Sequence, residues 1–259
     1  MGNSHLIEGS SVQSVDRALR ILEILAEQGE YGVTEIASEL EIHKSTASRL
    51  MSALQARGLV EQLSDRGRYR LGMGLVRLAG TVTSSHSAVS GSRTVTRALA
   101  QEVGETVNIA VLEGNEVLYV DQVIGPSMVT MRSWLGKSVP PHCTATGKVL
   151  SAWLDPESRV AARPHTWAKL TPNTITSVSA YEAELAKVRE LGYAVANEEM
   201  ENDFVAIAAP IRDEHDEVIA ALCISGPASR IKSADFETLG HIVKLSATKL
   251  SGKPDFGRE

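Results

Sequence analysis

Residues 12–72 contain three amphipathic helix patterns followed by two short strand patterns, and this order is compatible with few folds. In each predicted helix, apolar residues recur with a period near 3.6. Only about three residues, Glu41 to His43, separate the second predicted helix from the third. Residues 59–72 form a hairpin pattern whose turn contains Gly67, a residue that adopts positive φ without strain. Three helices followed by a hairpin predict a winged helix-turn-helix domain.

Basic residues are concentrated in the second half of this domain, although the chain as a whole has a formal net charge of −6. Residues 1–42 contain two basic and eight acidic residues, whereas residues 43–80 contain seven basic and two acidic residues. The basic charge is concentrated on the third helix and the hairpin, which are the elements that a winged helix applies to DNA. Phosphate contacts supply affinity, and base-edge contacts supply specificity. The charge distribution therefore predicts a local DNA-binding surface on an acidic protein.

Polar residues of the third helix lie mostly on the side opposite its apolar stripe. Short hydroxyl side chains let a helix approach the major groove closely, while lysine and arginine reach phosphates or guanine. In an isolated helix, such a pattern is explained by a solvated polar face. Here it occurs together with the helix spacing, the short turn, the hairpin and the charge distribution, and this combination favours DNA binding. The predicted DNA contacts are His43, Lys44, Ser45, Thr46, Ser48, Arg49, Arg66 and Arg68.

The rest of the chain alternates strands and helices and predicts an α/β domain with a largely antiparallel sheet. The expected boundaries are a disordered N-terminus, a DNA-binding domain, a linker helix, a second domain and a tail. They fall at residues 1–11, 12–74, 75–95, 96–251 and 252–259. The linker region contains the serine-rich stretch SSHSAVSGS, and a third strand of the sheet is expected near Val129–Ser133.

Several classes of protein are disfavoured by what the chain contains. No apolar run approaches the roughly 18–20 residues that a membrane-spanning helix needs, so no membrane partner is expected. Two cysteines, Cys143 and Cys223, do not form a disulfide framework, which favours a reducing, cytoplasmic setting. Gly147-Lys148 lacks the upstream glycine of a phosphate-binding loop. No convincing metal spacing is present, and no cofactor is expected.

Two segments of the second domain have chemistry suited to a small ligand. In PPHCTATGKVLSAW a helix starts near Thr144, and its first-turn N–H groups suit a carboxylate or another oxyanion. In AALCISGPAS the alternation of a strand places Cys223 and Ser225 on one face. A capped helix and two buried polar residues explain the same patterns, and spacing alone favours that structural interpretation.

Two other functions remain open from these residues. His142-Cys143 invites a reading as an enzyme with Cys143 as nucleophile, although no further catalytic partner is evident. The winged helix also fits a metabolite-binding protein in which that domain mediates only protein contacts.

The order of these motifs resembles the IclR family of bacterial transcriptional regulators. The N-terminal resemblance rests on SVDRALRILEILAEQGEYGVTEIASELEIHKSTASRLMSALQARGLVEQ and GRYRLG. The C-terminal resemblance rests on VPPHCTATGKVLSAWL, LTPNTITS, RELGYAV and AALCISGPASRI. It covers about residues 12–250 and implies an α+β chain, with a winged-helix DNA reader joined by a linker helix to a GAF-like effector-binding domain. It also implies a homodimer or a tetramer formed by two dimers. His43 departs from the family pattern, since members often have proline at that position.

The resemblance implies an effector pocket in the second domain and a chain that is not an enzyme. Family effector residues correspond to Met128, Ala145, Thr146, Phe204, Cys223 and Ser225. The overall prediction is a ligand-responsive regulator, acting as a repressor of a catabolic gene cluster, with promoter DNA and a small organic acid or aromatic metabolite as partners.

The predicted pocket also departs from the family. Asp203 and Ala206 replace residues that are often glycine and cysteine, and Ala196 stands where some members have aspartate. The pocket chemistry has therefore changed. Met128, Met131 and Trp134 form a candidate apolar wall, which favours an aromatic or bulkier ligand, although core packing explains each residue better when it is taken singly.

Overall fold

The computed structural model describes residues 13–63, 67–85, 92–126 and 133–252, without the side chains of residues 80–85. The chain divides into two compact units after Ser85. Several predictions lie outside the described residues: the tip of the hairpin at 64–66, most of the serine-rich stretch, most of the strand expected near Val129–Ser133, and both chain ends.

The first unit begins with three helices, α1 (Gln13–Gln28), α2 (Val33–Glu39) and α3 (Lys44–Ala56), in the order that the periodicity predicts. Their apolar sides meet in one buried cluster because each helix has a single apolar stripe to remove from water. The cluster includes Ile21, Leu25, Ile36, Ala47 and Met51. Between α2 and α3 the backbone turns at Glu41, whose φ is +51°, and the N–H of Ile42 donates to the carbonyl of Ala37 at 2.9 Å.

A three-stranded antiparallel sheet completes the helix-turn-helix. Strands β2 (Val60–Gln62) and β3 (Arg68–Leu71) form the predicted hairpin. The short strand β1 (Tyr31–Gly32), which the sequence did not predict, pairs with the outer edge of β3. Helix α4 (Gly74–Ser85) follows directly. The winged helix-turn-helix is confirmed.

The second unit is built on a six-stranded sheet in which every neighbouring pair is antiparallel. Its strands lie in the order β6-β5-β4-β9-β8-β7. They are β4 (Thr106–Glu113), β5 (Glu116–Val123), β6 (Ser138–Val139), β7 (Ala194–Asn197), β8 (Phe204–Arg212) and β9 (Val218–Pro227). The prediction of a largely antiparallel sheet is confirmed.

Helices cover both faces of this sheet. Helices α5 (Arg93–Val103) and α9 (Phe236–Leu250) pack on one face. Helices α6 (Ala145–Ala152) and α8 (Val178–Leu191) pack on the other, and the short α7 (Pro156–Ala161) lies between them in the chain. Alternate residues of a strand face opposite sides. Leu222 and Ile224 accordingly belong to the α5/α9 cluster, whereas Cys223 belongs to the α6/α8 cluster. The predicted combination of a helix-turn-helix and an α+β domain is correct.

Within the described segments, no helix combines the length and the apolar character that crossing a membrane requires.

Candidate DNA-binding face and effector pocket

The outer side of α3 carries the polar residues that the sequence predicts as DNA contacts. Lys44, Ser45, Ser48 and Arg49 are exposed, and Thr46 is half-buried. The inner side is held in the core by Ala47, Met51 and Leu54. The helix therefore presents two cations and a set of short hydroxyls on a face that its own domain does not cover.

His43 forms the N-cap of α3. Its backbone is extended, with φ −67° and ψ 142°, and its Nδ1 accepts a hydrogen bond from the N–H of Ser45 at 3.3 Å. The same Nδ1 lies 2.8 Å from the Ser45 hydroxyl. First-turn N–H groups have no intrahelical partner, so an acceptor at this position satisfies one of them. His43, which departs from the family pattern, thus caps the start of α3.

The arginines of the wing form ion pairs within the first unit. Arg68 lies 3.1 Å from the carboxylate of Glu35, which also accepts a hydrogen bond from the N–H of Gly32 at 2.6 Å. A single carboxylate therefore joins the start of α2 to β3. Across the hairpin, Arg70 pairs with Glu61. Both pairs are half exposed, where exchange of one anionic partner for another costs little.

Lys44 and Arg68 border the same cleft. This cleft, of about 460 Å³, is formed by the start of α2, the start of α3 and the wing. Two of the cations that the sequence predicts at DNA thus lie on one side of the first unit. Arg66, the other predicted wing contact, lies outside the described residues.

In the second unit, the predicted effector residues that the structure describes lie at the start of α6 and on the face of the sheet that α6 covers. Ala145, Phe204 and Cys223 belong to one buried cluster on that face of the sheet. Thr146 joins them through Tyr119, whose hydroxyl lies 3.3 Å from its Oγ1. Met128 and Met131 of the predicted apolar wall lie outside the described residues.

Ser225 is bound into a chain of hydrogen bonds that the sequence did not predict. The side-chain amide of Asn108 donates to the Ser225 hydroxyl at 3.1 Å. Gln122 donates to the carbonyl oxygen of the Asn108 side chain at 3.0 Å, and Ser133 donates to Gln122 at 2.8 Å. Asn108 is almost fully buried inside a mostly apolar strand. Buried amides are rare and need partners, so its position in TVNIAV was a usable signal.

An aromatic group borders this polar chain. The ring of Trp134 lies 5.9 Å from that of Tyr119 and 6.3 Å from that of Phe204, measured between centroids. Burial raises the pKa of Tyr119 well above its usual range, and the neighbouring Cys223 adds to the effect. The phenol is therefore neutral at pH 7 and can donate or accept a hydrogen bond. The arrangement suits a small ligand with one flat apolar part and a polar end.

Helix α6 starts at this site. The Thr144 hydroxyl caps it by accepting a hydrogen bond from the N–H of Gly147 at 3.1 Å. By helix geometry, the N–H groups of Ala145 and Thr146 have no partner inside the helix. The predicted helix start is correct.

Cys143 has the properties of a structural thiol. It is fully buried, and burial with the nearby Glu199 carboxylate raises its pKa to about 12. The adjacent His142 directs its Nε2 at the carbonyl of Ala168, 3.1 Å away. A thiol that stays protonated, beside a histidine engaged elsewhere, is a poor nucleophile.

Next to the thiol, Lys148 is buried in a network of carboxylates. Its Nζ lies 2.6 Å from Glu199 and 3.3 Å from Glu184, and it donates to the carbonyl of Val195 at 2.8 Å. This cluster joins α6 to the loop between β7 and β8. In the portion of the chain that the structure describes, no cluster of three or more His, Cys, Asp or Glu side chains fits a metal ion.

The fold and these two surfaces define a class of protein: a helix-turn-helix transcriptional regulator with an attached ligand-binding domain. Comparison with known families agrees. The IclR helix-turn-helix domain matches residues 14–64, and the C-terminal domain of the bacterial transcriptional regulator IclR matches residues 80–252. The chain belongs to the IclR family, whose members are transcriptional regulators and not enzymes.

Individual relatives match over nearly their whole length. The HTH-type transcriptional regulator XynR of Escherichia coli is 34% identical over 93% of this chain and 96% of its own. The HTH-type transcriptional repressor AllR of Escherichia coli is 32% identical over 96% of this chain and 93% of its own. The crystal structure of an IclR homologue from Microbacterium hydrocarbonoxydans, complexed with 4-hydroxybenzoate, superimposes with a TM-score of 0.81 at 28% identity, covering 92% and 97% of the two chains.

Proposed function

We propose that this chain is a ligand-responsive repressor that binds promoter DNA through α3 and the wing. The observation that carries the proposal is the outer face of α3, where exposed Lys44, Ser45, Ser48 and Arg49 back onto a buried apolar side. Lysine and arginine anchor such a helix to phosphates, and short hydroxyls permit close approach to base edges. AllR, a relative of similar length, is a transcriptional repressor, which favours repression here.

Replacing both cations of this face tests the proposal. Lys44→Ala with Arg49→Ala should weaken binding to the chain's own upstream DNA at least a hundredfold, measured by fluorescence anisotropy at fixed salt. A matched control, Lys232→Ala with Lys249→Ala, removes two exposed lysines of the second unit. Unchanged affinity in the α3 variant, with the fold intact by circular dichroism, would eliminate α3 as the recognition helix.

For the effector, we propose a small organic acid, and an aromatic one in particular. Ala145, Thr146, Phe204, Cys223 and Ser225 would line the pocket, with Met128 from outside the described residues. The support is the aromatic group around Trp134 beside the polar chain that ends at Ser225. The relative solved with 4-hydroxybenzoate favours the same class.

Substitution of Ser225 tests the proposed effector pocket. With 4-hydroxybenzoate as probe, Ser225→Ala should raise the concentration needed to release promoter DNA at least fivefold, while affinity for DNA without probe is unchanged. Ser246→Ala, a buried serine on α9, is the matched control. A wild-type response would remove Ser225 from the pocket.

The competing function is a metabolite-binding protein whose winged helix makes only protein contacts. Salt separates the two, because each phosphate contact lowers the logarithm of affinity by about 0.9 per unit of log salt concentration. A flat salt dependence would favour protein contacts.

The assembly and setting proposed are a homodimer, or a tetramer of two dimers, acting in the cytoplasm. Exposed apolar residues of α1 and α4 support self-association, namely Val15, Leu19, Val76 and Leu78. Sedimentation velocity of the Leu19→Glu variant tests this, since a monomer is expected from it. The boundaries 12–74, 75–95 and 96–251 for reader, linker and sensor belong to the same proposal.

A further inference from the structure

The second unit contains another cleft, away from the proposed effector pocket. Its volume is about 550 Å³, and its lining includes Trp153, Arg189, Arg212 and Lys244. It lies where β8 ends at Arg212, whereas Phe204 and Ser225 lie at the opposite end of the β8–β9 hairpin. It also lies at the C-terminal end of α6, whereas Ala145 and Thr146 are at the start of that helix.

Two cations of this cleft are held in place by backbone carbonyls at the ends of helices. Arg189 donates to the carbonyl of Ala152 at 2.8 Å, and Lys244 donates to the carbonyl of Leu191 at 3.2 Å. Gly192 permits the second contact, because a Cβ there would lie 2.6 Å from the lysine Nζ. These carbonyls end α6 and α8, where a cation is favoured. The contacts fix the cations without neutralising them.

Arg212 is fixed from two further directions. Its guanidinium lies 4.8 Å from the centre of the Trp153 ring and donates to the carbonyl of Asp216 at 2.6 Å. The Nη1 that makes this bond is the atom nearest the Asp216 carboxylate, at 3.6 Å. Within the described segments, the Nε and Nη2 atoms of Arg212 make no hydrogen bond, and neither do those of Arg189.

The acids of the cleft offset these cations only in part. Asp213 accepts hydrogen bonds from the N–H groups of His215 and Glu217, and these bonds lower its pKa. The Asp216 side chain is 86% exposed, so its contact with Arg212 is readily exchanged. The hydroxyls of Thr248 and Ser251 border the same space.

We propose that this cleft binds a small dianionic oxyanion, either a phosphate ester or a dicarboxylate, as a second ligand site independent of the effector pocket. Planar guanidinium groups suit such oxyanions because they present two parallel N–H donors. The cations converge from β8, α8 and α9, and two of them hold the ends of α6 and α8. A ligand in this cleft would therefore lie at the C-terminal end of α6, the helix whose first residues line the proposed effector pocket.

Isothermal titration calorimetry on the full chain, at low salt and pH 8, tests the site with phenyl phosphate and with succinate. Saturable binding of one molecule per chain is expected for at least one probe, and the two arms separate phosphate from carboxylate chemistry. Arg189→Gln with Lys244→Gln should weaken it at least tenfold. The matched control, Lys187→Gln with Lys249→Gln, removes two exposed cations from the same helices and should change it less than twofold.

Two further measurements keep the result interpretable. Lys244→Gln alone leaves the α6 contact of Arg189 intact and should still weaken binding about threefold. The indole N–H resonance of Trp153, assigned by Trp153→Phe, should shift on titration. Absence of saturable binding by both probes overturns the site. So does equal loss in the control pair, or loss in Lys44→Ala with Arg49→Ala, which would place the probe on the α3 face.

Discussion

Lys148 is a buried cation whose charge is balanced by two carboxylates. Its side chain is 1% exposed, and Glu199 beside it is 10% exposed. Burial raises the pKa of Glu199 and the lysine opposes that shift, so each ion depends on the other. Breaking such a pair leaves an uncompensated charge in a low-dielectric site, whereas replacing both partners does not.

We expect Lys148→Met to lower the free energy of unfolding by about 3–5 kcal/mol, and Lys148→Met with Glu199→Gln to lower it by less. Urea unfolding followed by tryptophan fluorescence measures this, because Trp134, Trp153 and Trp167 all lie in the second unit. The control Lys187→Met removes the exposed partner of Glu184 and should cost under about 1 kcal/mol. A double variant as unstable as the single one would contradict the pairing.

His142 makes stability depend on pH. Its Nε2–H donates to the Ala168 carbonyl, and among the described residues its buried Nδ1 has no partner. Burial lowers the pKa of His142 below 6.5, although the carbonyl contact opposes the shift. The unfolded chain therefore binds more protons just below pH 6.5, so stability is lost as pH falls from 6.5 towards the folded pKa.

The variant His142→Gln should flatten this part of the profile, since glutamine can donate to the same carbonyl without titrating. The wild-type slope should exceed that of the variant by up to about 1.4 kcal/mol per pH unit below pH 6.5. Urea unfolding at several pH values measures it, with His215→Gln, at an exposed histidine, as control. Parallel profiles for wild type and His142→Gln would show that this imidazole does not titrate on unfolding.

Among the secondary-structure elements, helix α3 is one whose first turn could not be defined from the sequence. His43 supplies an acceptor for one unpaired first-turn N–H group, which the proline that the family often has at this position does not supply. His43→Ala should destabilise the first unit by about 0.5–2 kcal/mol, and His43→Asn should restore most of the loss. Thermal melts followed by far-ultraviolet circular dichroism measure this; equal stability of the alanine and asparagine variants would exclude capping.

Elements with a long regular pattern were predictable from the sequence, and contacts between distant segments were not. The amphipathic periods of α1 and α3 and the alternation in β9 reflect one buried face each, which a sequence window contains. The two-residue strand β1 exists only because β3 offers it an edge. Glu35–Arg68 and Asn108–Ser225 join residues far apart in the chain, so no local pattern encodes them.

Gly147 shows that a residue of a short motif can be required for packing. Gly147-Lys148 resembles the end of a phosphate-binding loop, and the missing upstream glycine argued against that function. In the fold, a Cβ at this position would collide with the backbone of Pro141, so glycine permits α6 to pack against the preceding turn. Lys148 instead forms an ion pair with the buried carboxylate of Glu199. Both roles depend on packing that the motif alone does not specify.

For the molecule as a whole, charge is divided between a basic α3 and wing and an acidic remainder. The salt dependence of DNA affinity counts the phosphates that a protein contacts, because each contact releases bound counterions. It therefore reports on the contacting face and is insensitive to the net charge of the chain. Under the proposed function, changing acids elsewhere should move the affinity slightly and the salt slope not at all.

Glu113→Gln with Glu116→Gln tests this division, since both exposed carboxylates lie at the β4–β5 turn of the second unit. It makes the net charge two units less negative and should leave the slope of log affinity against log salt unchanged. Lys44→Gln with Arg49→Gln makes the net charge two units more negative and should reduce the slope by about 1.8, from two lost phosphate contacts. Fluorescence anisotropy from 50 to 300 mM salt measures both. Equal slopes for the two variants would mean that Lys44 and Arg49 contact no phosphate, whereas a steeper slope in the Glu113/Glu116 variant would mean that net charge governs the interaction.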